Sequence, residues 1–327
     1  LICGGPPCQG YSGIGHRRSY SVNKKQLPSN HLYQDMAYFI SKMKPKIFLF
    51  ENVKGLLSAR WTPGGKKGEI FEEVKNTFRN LSDYNIKFKL VYAKDYGVPQ
   101  NRPRILLVGI RKDVIKPSSE DDDAVINGFL PEGDGGYPHI IEIFSDIEDK
   151  KFKYGEQTST YPHDPKTDFQ TQLRTRPNGT IASKGDEITE HLYSNHTQRI
   201  RDKFQTMIDN EGEIPKKFKT KKFAQQKLPE RWDNKGPTIT VTSLPDDFVH
   251  YSQARSLTVR EWARIQTFPD KFRFVNYDRK HPGAFGYAGW YSNHCKHGGT
   301  RGHYTSTWVL YTDPRFAKLT LGWKWSC

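Results

Sequence analysis

The chain has 327 residues and a formal net charge of +15, from 51 lysines and arginines against 36 aspartates and glutamates, which favours a polyanionic partner such as nucleic acid. No run approaches the roughly 18 apolar residues of a membrane span, and the first residues lack the basic-then-apolar layout of a secretory signal. Four cysteines (Cys3, Cys8, Cys295, Cys327) show neither CxxC pairing nor metal-ligand spacing, which argues against a disulfide framework or a zinc site and for a reducing, intracellular setting.

Residues 1–5 read as a short buried strand that must end at Pro6 and Pro7, because neither can donate a ladder hydrogen bond. Cys8 follows directly, and the residues alone leave it open between a turn residue and a nucleophile. "HLYQDMAYFISKMK" (31–44) carries Leu32, Met36, Tyr38, Phe39, Ile40 and Met43 at near-helical spacing and stops at Pro45. "KIFLFENV" (46–53) is a continuous apolar run ending in Glu51, as in a parallel strand covered on both faces. Residues 69–81 predict a second amphipathic helix, "FKLVYAKDYG" a strand entering a turn, and "RILLVGIRK" (104–112) another strand. The order β, α, β, α, β, β predicts an α/β sheet.

After Lys112 the texture changes. "KPSSEDDD" is acidic and turn-rich, and apolar runs from about 116 to 235 are short, which predicts a separate loop-rich region. Within it Lys216, Lys217, Lys219, Lys221, Lys222, Lys227 and Arg231 are interleaved with Phe218, Phe223 and Trp232, a pattern that suits a phosphate backbone with bases nearby, or a solvated lysine-rich loop. From 236 order returns: "PTITVTS" reads as a strand and "TVREWARIQTF" as a helix, with Thr258 and Glu261 forming a capping box.

Three polar clusters fall at strand ends, where open α/β sheets bind ligands: Cys8, Glu51, and Arg102 with Arg104 in "QNRPR". A thiolate adds to an electron-poor ring carbon, and nearby guanidiniums favour the ionised thiol. A partly buried carboxyl that donates a proton to a ring nitrogen makes the ring more electrophilic.

"GGPPCQGYS" (4–12), "ENVKGLL" (51–57), "YGVPQNRPRILLVGIR" (96–111) and "RSLTVREWARIQTFPD" (255–270) together resemble four ordered signature blocks of the cytosine-C5 DNA methyltransferases of bacterial restriction-modification systems. The resemblance covers residues 1 to about 112 and 236 to about 275. It implies a partial Rossmann-like methyltransferase sheet in residues 1–112, a target-recognition region in 113–235 and a return segment in 236–275. It implies Cys8 as the nucleophile toward C6 of a cytosine flipped out of duplex DNA, Glu51 as the residue that protonates N3, and Arg102 and Arg104 as groups that orient the base. S-adenosylmethionine is the implied cofactor, with contacts at Pro6 and Leu32. Gln9, Ser12, Arg17 and Arg18 belong to an implied mobile loop over the substrate, and Asn52 and Val53 to the pocket behind Glu51. Arg260 and Glu261 are expected in an internal ion-pair network.

Two departures from the family pattern shape the expectations further. The chain starts after the glycine-rich FxGxG-like loop and acidic residue that hold the cofactor in the family, so it reads as truncated and is not expected to transfer methyl alone; a chain supplying the missing loop is a candidate partner. Near the other end, "HYTSTWVLYTDPRFAKL" replaces the middle of a QIGN-like segment, and residues 276–327 read as a divergent tail with a shifted reading frame. The rival readings are a non-catalytic DNA-binding or complementing subunit and an RNA cytosine-C5 methyltransferase.

Overall fold

The protein was described from a computed structural model, in which residues 1–6, 30–133, 135–214, 216–219, 225–232 and 248–273 are placed with their side chains, and strands 307–313 and 316–324 as backbone. The described residues form two compact units: 1–96, 103–136 and 301–327 make the first, and 97–102 with 137–300 the second. No helix among the described residues is long and apolar enough to cross a membrane.

The first unit is a four-stranded sheet in the order β1-β2-β4-β3, built from β1 (Ile2–Gly4), β2 (Ile47–Val53), β3 (Tyr84–Tyr92) and β4 (Pro103–Arg111). Helices α1 (Leu32–Met43) and α2 (Glu69–Arg79) complete the expected α/β class. β2 runs parallel to β1 but antiparallel to β4, and β4 is antiparallel to β3 as well, so the sheet is mixed. Strand period sorts the apolar residues onto two faces. Phe48, Phe50, Ile105 and Leu107 pack with Ile40 of α1 and with Ile70, Val74 and Phe78 of α2, while Leu49, Val91, Leu106, Val108 and Ile110 pack beneath Ala124, Phe129 and Leu130. Gly109 lies opposite Phe48, and a Cβ there would fall 2.0 Å from the Phe48 ring.

Helix α1 corrects the sequence expectation. Its buried stripe is Tyr33, Met36, Ala37 and Ile40, whereas Tyr38, Phe39 and Met43 are exposed, because they fall outside the i, i+3, i+4, i+7 series that meets the sheet. The acidic run after β4 also acquires a role. Asp122 pairs with Arg79 and Asp123 with Lys89, while the buried Lys87 ammonium donates to the carbonyls of Ser119 and Asp121. These contacts lay the 118–130 loop over the sheet.

The second unit contains α3 (Ile140–Phe144), α4 (Asp168–Arg174), α5 (Gln198–Asp209), α6 (Val259–Ile265) and the two-residue strands β5 (Gln226–Lys227) and β6 (Phe248–Val249). Helix α5 lies inside the stretch read as loop-rich; Phe204 and Met207 bury its apolar face against Val249. Trp232 departs from the basic-aromatic reading, since it is buried with Ile140, Leu228 and Phe248 and packs 4.3 Å from the Tyr137 ring. Lys221, Lys222, Phe223 and the expected strand "PTITVTS" lie outside the described residues. The backbone of β7 (Thr307–Asp313) pairs antiparallel with β8 (Phe316–Lys324).

Around α6 the core is ionic. Thr258 and Glu261 form the expected capping box, and the Arg255 guanidinium grips Glu261 at 2.6 and 2.8 Å. Arg264 bonds both Asp146 and Asp270, Arg174 joins at Asp146 (3.0 Å) while stacking on Tyr161, and the Tyr161 hydroxyl closes the ring by donating to Asp270 at 2.8 Å. Arg260 is separate from Glu261: it pairs with Glu190 and donates to the carbonyls of Thr189 and Phe272. His191 donates from Nε2 to the carbonyl of Ile147, which leaves Nδ1 to accept from the Thr258 hydroxyl.

Two predictions follow from this core. Burial lowers His191 to about 4 and His250 to about 3, from an ordinary value of 6.5, so both are neutral when folded and charge on unfolding. Their contribution is present above pH 6.5 and is lost as pH falls toward 4, at up to about 1.4 kcal/mol per histidine per pH unit. Urea melts at pH 7 and pH 5 are expected to show this loss, and His191→Gln/His250→Gln to flatten it; equal slopes in both proteins count against neutral burial. Arg264→Met leaves Asp146 and Asp270 buried with one cation fewer, and is expected to destabilise the fold by about 3–5 kcal/mol in the same melts.

Candidate active site

The antiparallel direction of β4 brings the site together. Its first residues lie beside the last residues of β2, with Val53 opposite Arg104 and Glu51 opposite Leu106. Glu51 and Arg104 are therefore diagonal neighbours on one face of the sheet, at a spacing that long side chains bridge. Arg104 Nε lies 2.6 Å from Glu51 Oε1, and the carboxylate side chain is only 6% exposed.

The next residue fixes the other arm. Asn52 is buried, donates from Nδ2 to the carbonyl of Pro6 at 3.2 Å, and accepts the Val53 amide at 2.9 Å. Both ends of its amide are thus in use, and the chain leaving β1 toward Cys8 is tied to the residue beside Glu51. Sequence reasoning placed Asn52 and Val53 in the pocket; this bracing role went unread, and the only signal for it was an amide next to a strand-end carboxylate. Cys8, Gln9, Ser12, Arg17 and Arg18 lie outside the described residues. Cys3, on β1, is half-buried, and burial pushes its thiol up, away from the thiolate a nucleophile needs.

Arg102 belongs to the 97–102 segment of the second unit and is buried there. That segment is pinned by Gln100, whose Nε2 donates to the side chain of Gln266 at 3.2 Å and to the carbonyl of Ile265 at 3.4 Å. "QNRPR" is thus divided, its last arginine serving the sheet and its first residues packing at the end of α6. Beyond Val53 the Lys54 ammonium donates to the Tyr92 hydroxyl at 3.1 Å, a contact between the ends of β2 and β3.

Cofactor contacts are testable at two places. Leu32 opens α1, lies off the helix's buried stripe and is only partly covered, so it offers an apolar surface. Pro6 is likewise partly covered, with its carbonyl already taken by Asn52. Both fit the apolar edge of a ligand and supply no charge. Among the described residues no group of His, Cys, Asp and Glu is arranged to hold a metal ion.

Comparison with known proteins supplies the family. Residues 1–288 match the family described as C-5 cytosine-specific DNA methylase. The Type II methyltransferase M.Bpa9945I of Bacillus paralicheniformis is 31% identical over 304 residues, and M.DdeI of Desulfomicrobium norvegicum 29% over 287; each alignment covers 84% of this chain. The chain spans 63% of the length of both relatives. A solved structure described as a DNA modification methyltransferase encoded within an E. coli prophage superposes with a TM-score of 0.56 at 22% identity, over 89% of this chain and 73% of its own, which establishes a shared fold. With its match extending over most of its length, the chain belongs to the C-5 cytosine-specific DNA methylase family.

Proposed function

We propose that this chain carries the catalytic machinery of a DNA cytosine-C5 methyltransferase, acting on a cytosine swung out of duplex DNA. The observation that carries the reading is the buried Glu51–Arg104 pair at the sheet end to which Asn52 ties the segment leading to Cys8. A carboxyl and a guanidinium on one strand face match the N3 and O2 edge of a cytosine, and a thiol arriving from β1 supplies the nucleophile.

In this reading Cys8 adds as the thiolate to C6, forming a C–S bond while the ring's electron pair moves toward C5 and O2. As Arg104 shifts from Glu51 toward the developing charge on O2, the Glu51 carboxylate takes up a proton from water and passes it to N3. S-adenosylmethionine, when bound, supplies the electrophilic methyl group, with Pro6 and Leu32 as apolar contacts. Water then takes the C5 proton and N3 returns its proton to Glu51, which restores the ring's double bond and expels the cysteine sulfur as thiolate. Arg102 is assigned to orienting the base, and Gln9, Ser12, Arg17 and Arg18 to the loop over the flipped nucleotide and its phosphates. A duplex hides the C6 atom within the stack, so extrusion is a geometric requirement of the addition.

The test is covalent trapping with duplex DNA containing 5-fluorocytosine, whose C5–F bond blocks release, in the presence of S-adenosylmethionine. A denaturation-resistant adduct is expected with the unaltered chain and none with Cys8→Ala; an adduct that survives that substitution removes Cys8 from the mechanism. Glu51→Gln retains the shape but loses the proton, and is expected to slow adduct formation by about 10²–10⁴-fold. Single-turnover kinetics that leave this rate within threefold of the unaltered chain would exclude Glu51 as the acid.

A further inference from the structure

We infer that the loop 60–67, which follows the Glu51 strand, grips the phosphate backbone of the duplex flanking the target base; this rests on the function just proposed. The loop departs from the 3-10 turn Lys54–Ser58 that continues β2, so it emerges at the same end of the sheet as Glu51. It carries three exposed cations, Arg60, Lys66 and Lys67, and no acidic residue. Among the described residues none of the three meets a carboxylate; Arg60 contacts only the carbonyl of Pro63, at 3.4 Å.

What distinguishes this loop from a solvated lysine turn is that it is fastened from beneath. The Trp61 amide donates to Glu69 Oε1 at 2.6 Å and the Lys66 amide to Glu69 Oε2 at 3.2 Å, so one carboxylate is taken up by two backbone groups of the loop. The Trp61 indole donates to Glu73 at 2.9 Å, the second oxygen of Glu73 accepts from the Tyr33 hydroxyl at 2.6 Å, and the indole stacks on His31 at 5.1 Å. Gly65 sits so close to Glu69 that a Cβ would fall 2.2 Å from its Oε1.

The two carboxylates that could have neutralised the loop are thereby turned inward, and the positive charges are left outward on a backbone already ordered. Little conformational entropy remains to be lost on binding, and a row of cations without counter-charges complements a polyanion. Duplex phosphates are the polyanion that the neighbouring Glu51 site brings to this end of the sheet.

The experiment measures binding of a fluorescent duplex by anisotropy across a salt series. It compares the full chain with Arg60→Gln/Lys66→Gln/Lys67→Gln and with Lys42→Gln/Lys44→Gln/Lys46→Gln. The second variant removes the same charge from exposed residues at the opposite end of β2. If each loop cation replaces one counterion, the slope of log K against log salt is expected to flatten by about two to three in the loop variant, with at least tenfold weaker binding near 0.1 M salt, and by less than one in the control. Equal slopes in the two variants overturn the loop assignment and leave the proposed function standing. Absence of duplex binding by the unaltered chain overturns both.

Discussion

A buried carboxylate can be tolerated only where something meets its charge, and in this protein the solution at Glu51 is a strand that runs the wrong way for a purely parallel sheet. β4 enters antiparallel between β2 and β3, and its first arginine, Arg104, comes to rest 2.6 Å from the last carboxylate of β2. Had β4 run parallel, Arg104 would lie at the Ile47 end of β2, away from Glu51. The strand's direction therefore decides both the electrostatics of a 6%-exposed side chain and the possibility of a shared site. Lys54, just past β2, reaches Tyr92 at the end of β3, so three strands contribute polar groups to one end of the sheet.

Charge is used differently in the 60–67 loop and in the second unit. In the loop, Arg60, Lys66 and Lys67 stay at the surface, and Glu69 and Glu73 hold backbone and indole groups in place of pairing with them. In the second, arginines go inside: Arg174, Arg255, Arg260 and Arg264 are all essentially inaccessible and each reaches a carboxylate. A region with short helices and two-residue strands has few ladders to specify its path. Guanidiniums with several donors in fixed directions can join distant carbonyls and carboxylates at once, as Arg264 does from α6 to Asp146 and to the Ile143 carbonyl. Burial of such groups gives little net stability against an apolar core, but removing one partner is costly, which makes the arrangement directional.

Much of the first unit was legible because its residues report their periods locally. The helices and strands of 32–111 follow from apolar repeats and from punctuation by Pro45, although β3 begins at Tyr84, four residues before the run read as a strand, and the capping box at Thr258 was readable from two residues three apart. Within α1 the repeat overcounts, since Tyr38, Phe39 and Met43 are apolar without being buried; composition does not say which side of a helix meets the sheet. Helix α5 went unread because its stripe of Ile200, Phe204 and Met207 is set among charged and polar residues that dilute it. Trp232 looked like a base-stacking residue because lysines surround it in sequence, whereas in space its neighbours are Tyr137 and Leu228. The coming together of Glu51 and Arg104 required strand direction, which no local pattern contains.

Covalent geometry links these fixed groups to the thiol. The Pro6 carbonyl is bonded to Asn52, the neighbour of Glu51, and Cys8 is two peptide units further along. Successive Cα atoms are about 3.8 Å apart, so the Cys8 backbone lies within roughly 8 Å of Pro6, whatever path Pro7 takes. Proline removes an amide donor at both positions, which prevents the segment from extending β1 as a paired strand and leaves Asn52 as the group that fixes its departure. A pyrimidine ring held at one edge by a carboxyl and a guanidinium presents C6 only a few ångströms beyond that edge. In the proposed reaction that edge is where a thiol has to arrive, and the two-residue tether from Pro6 bounds how far Cys8 can lie from it.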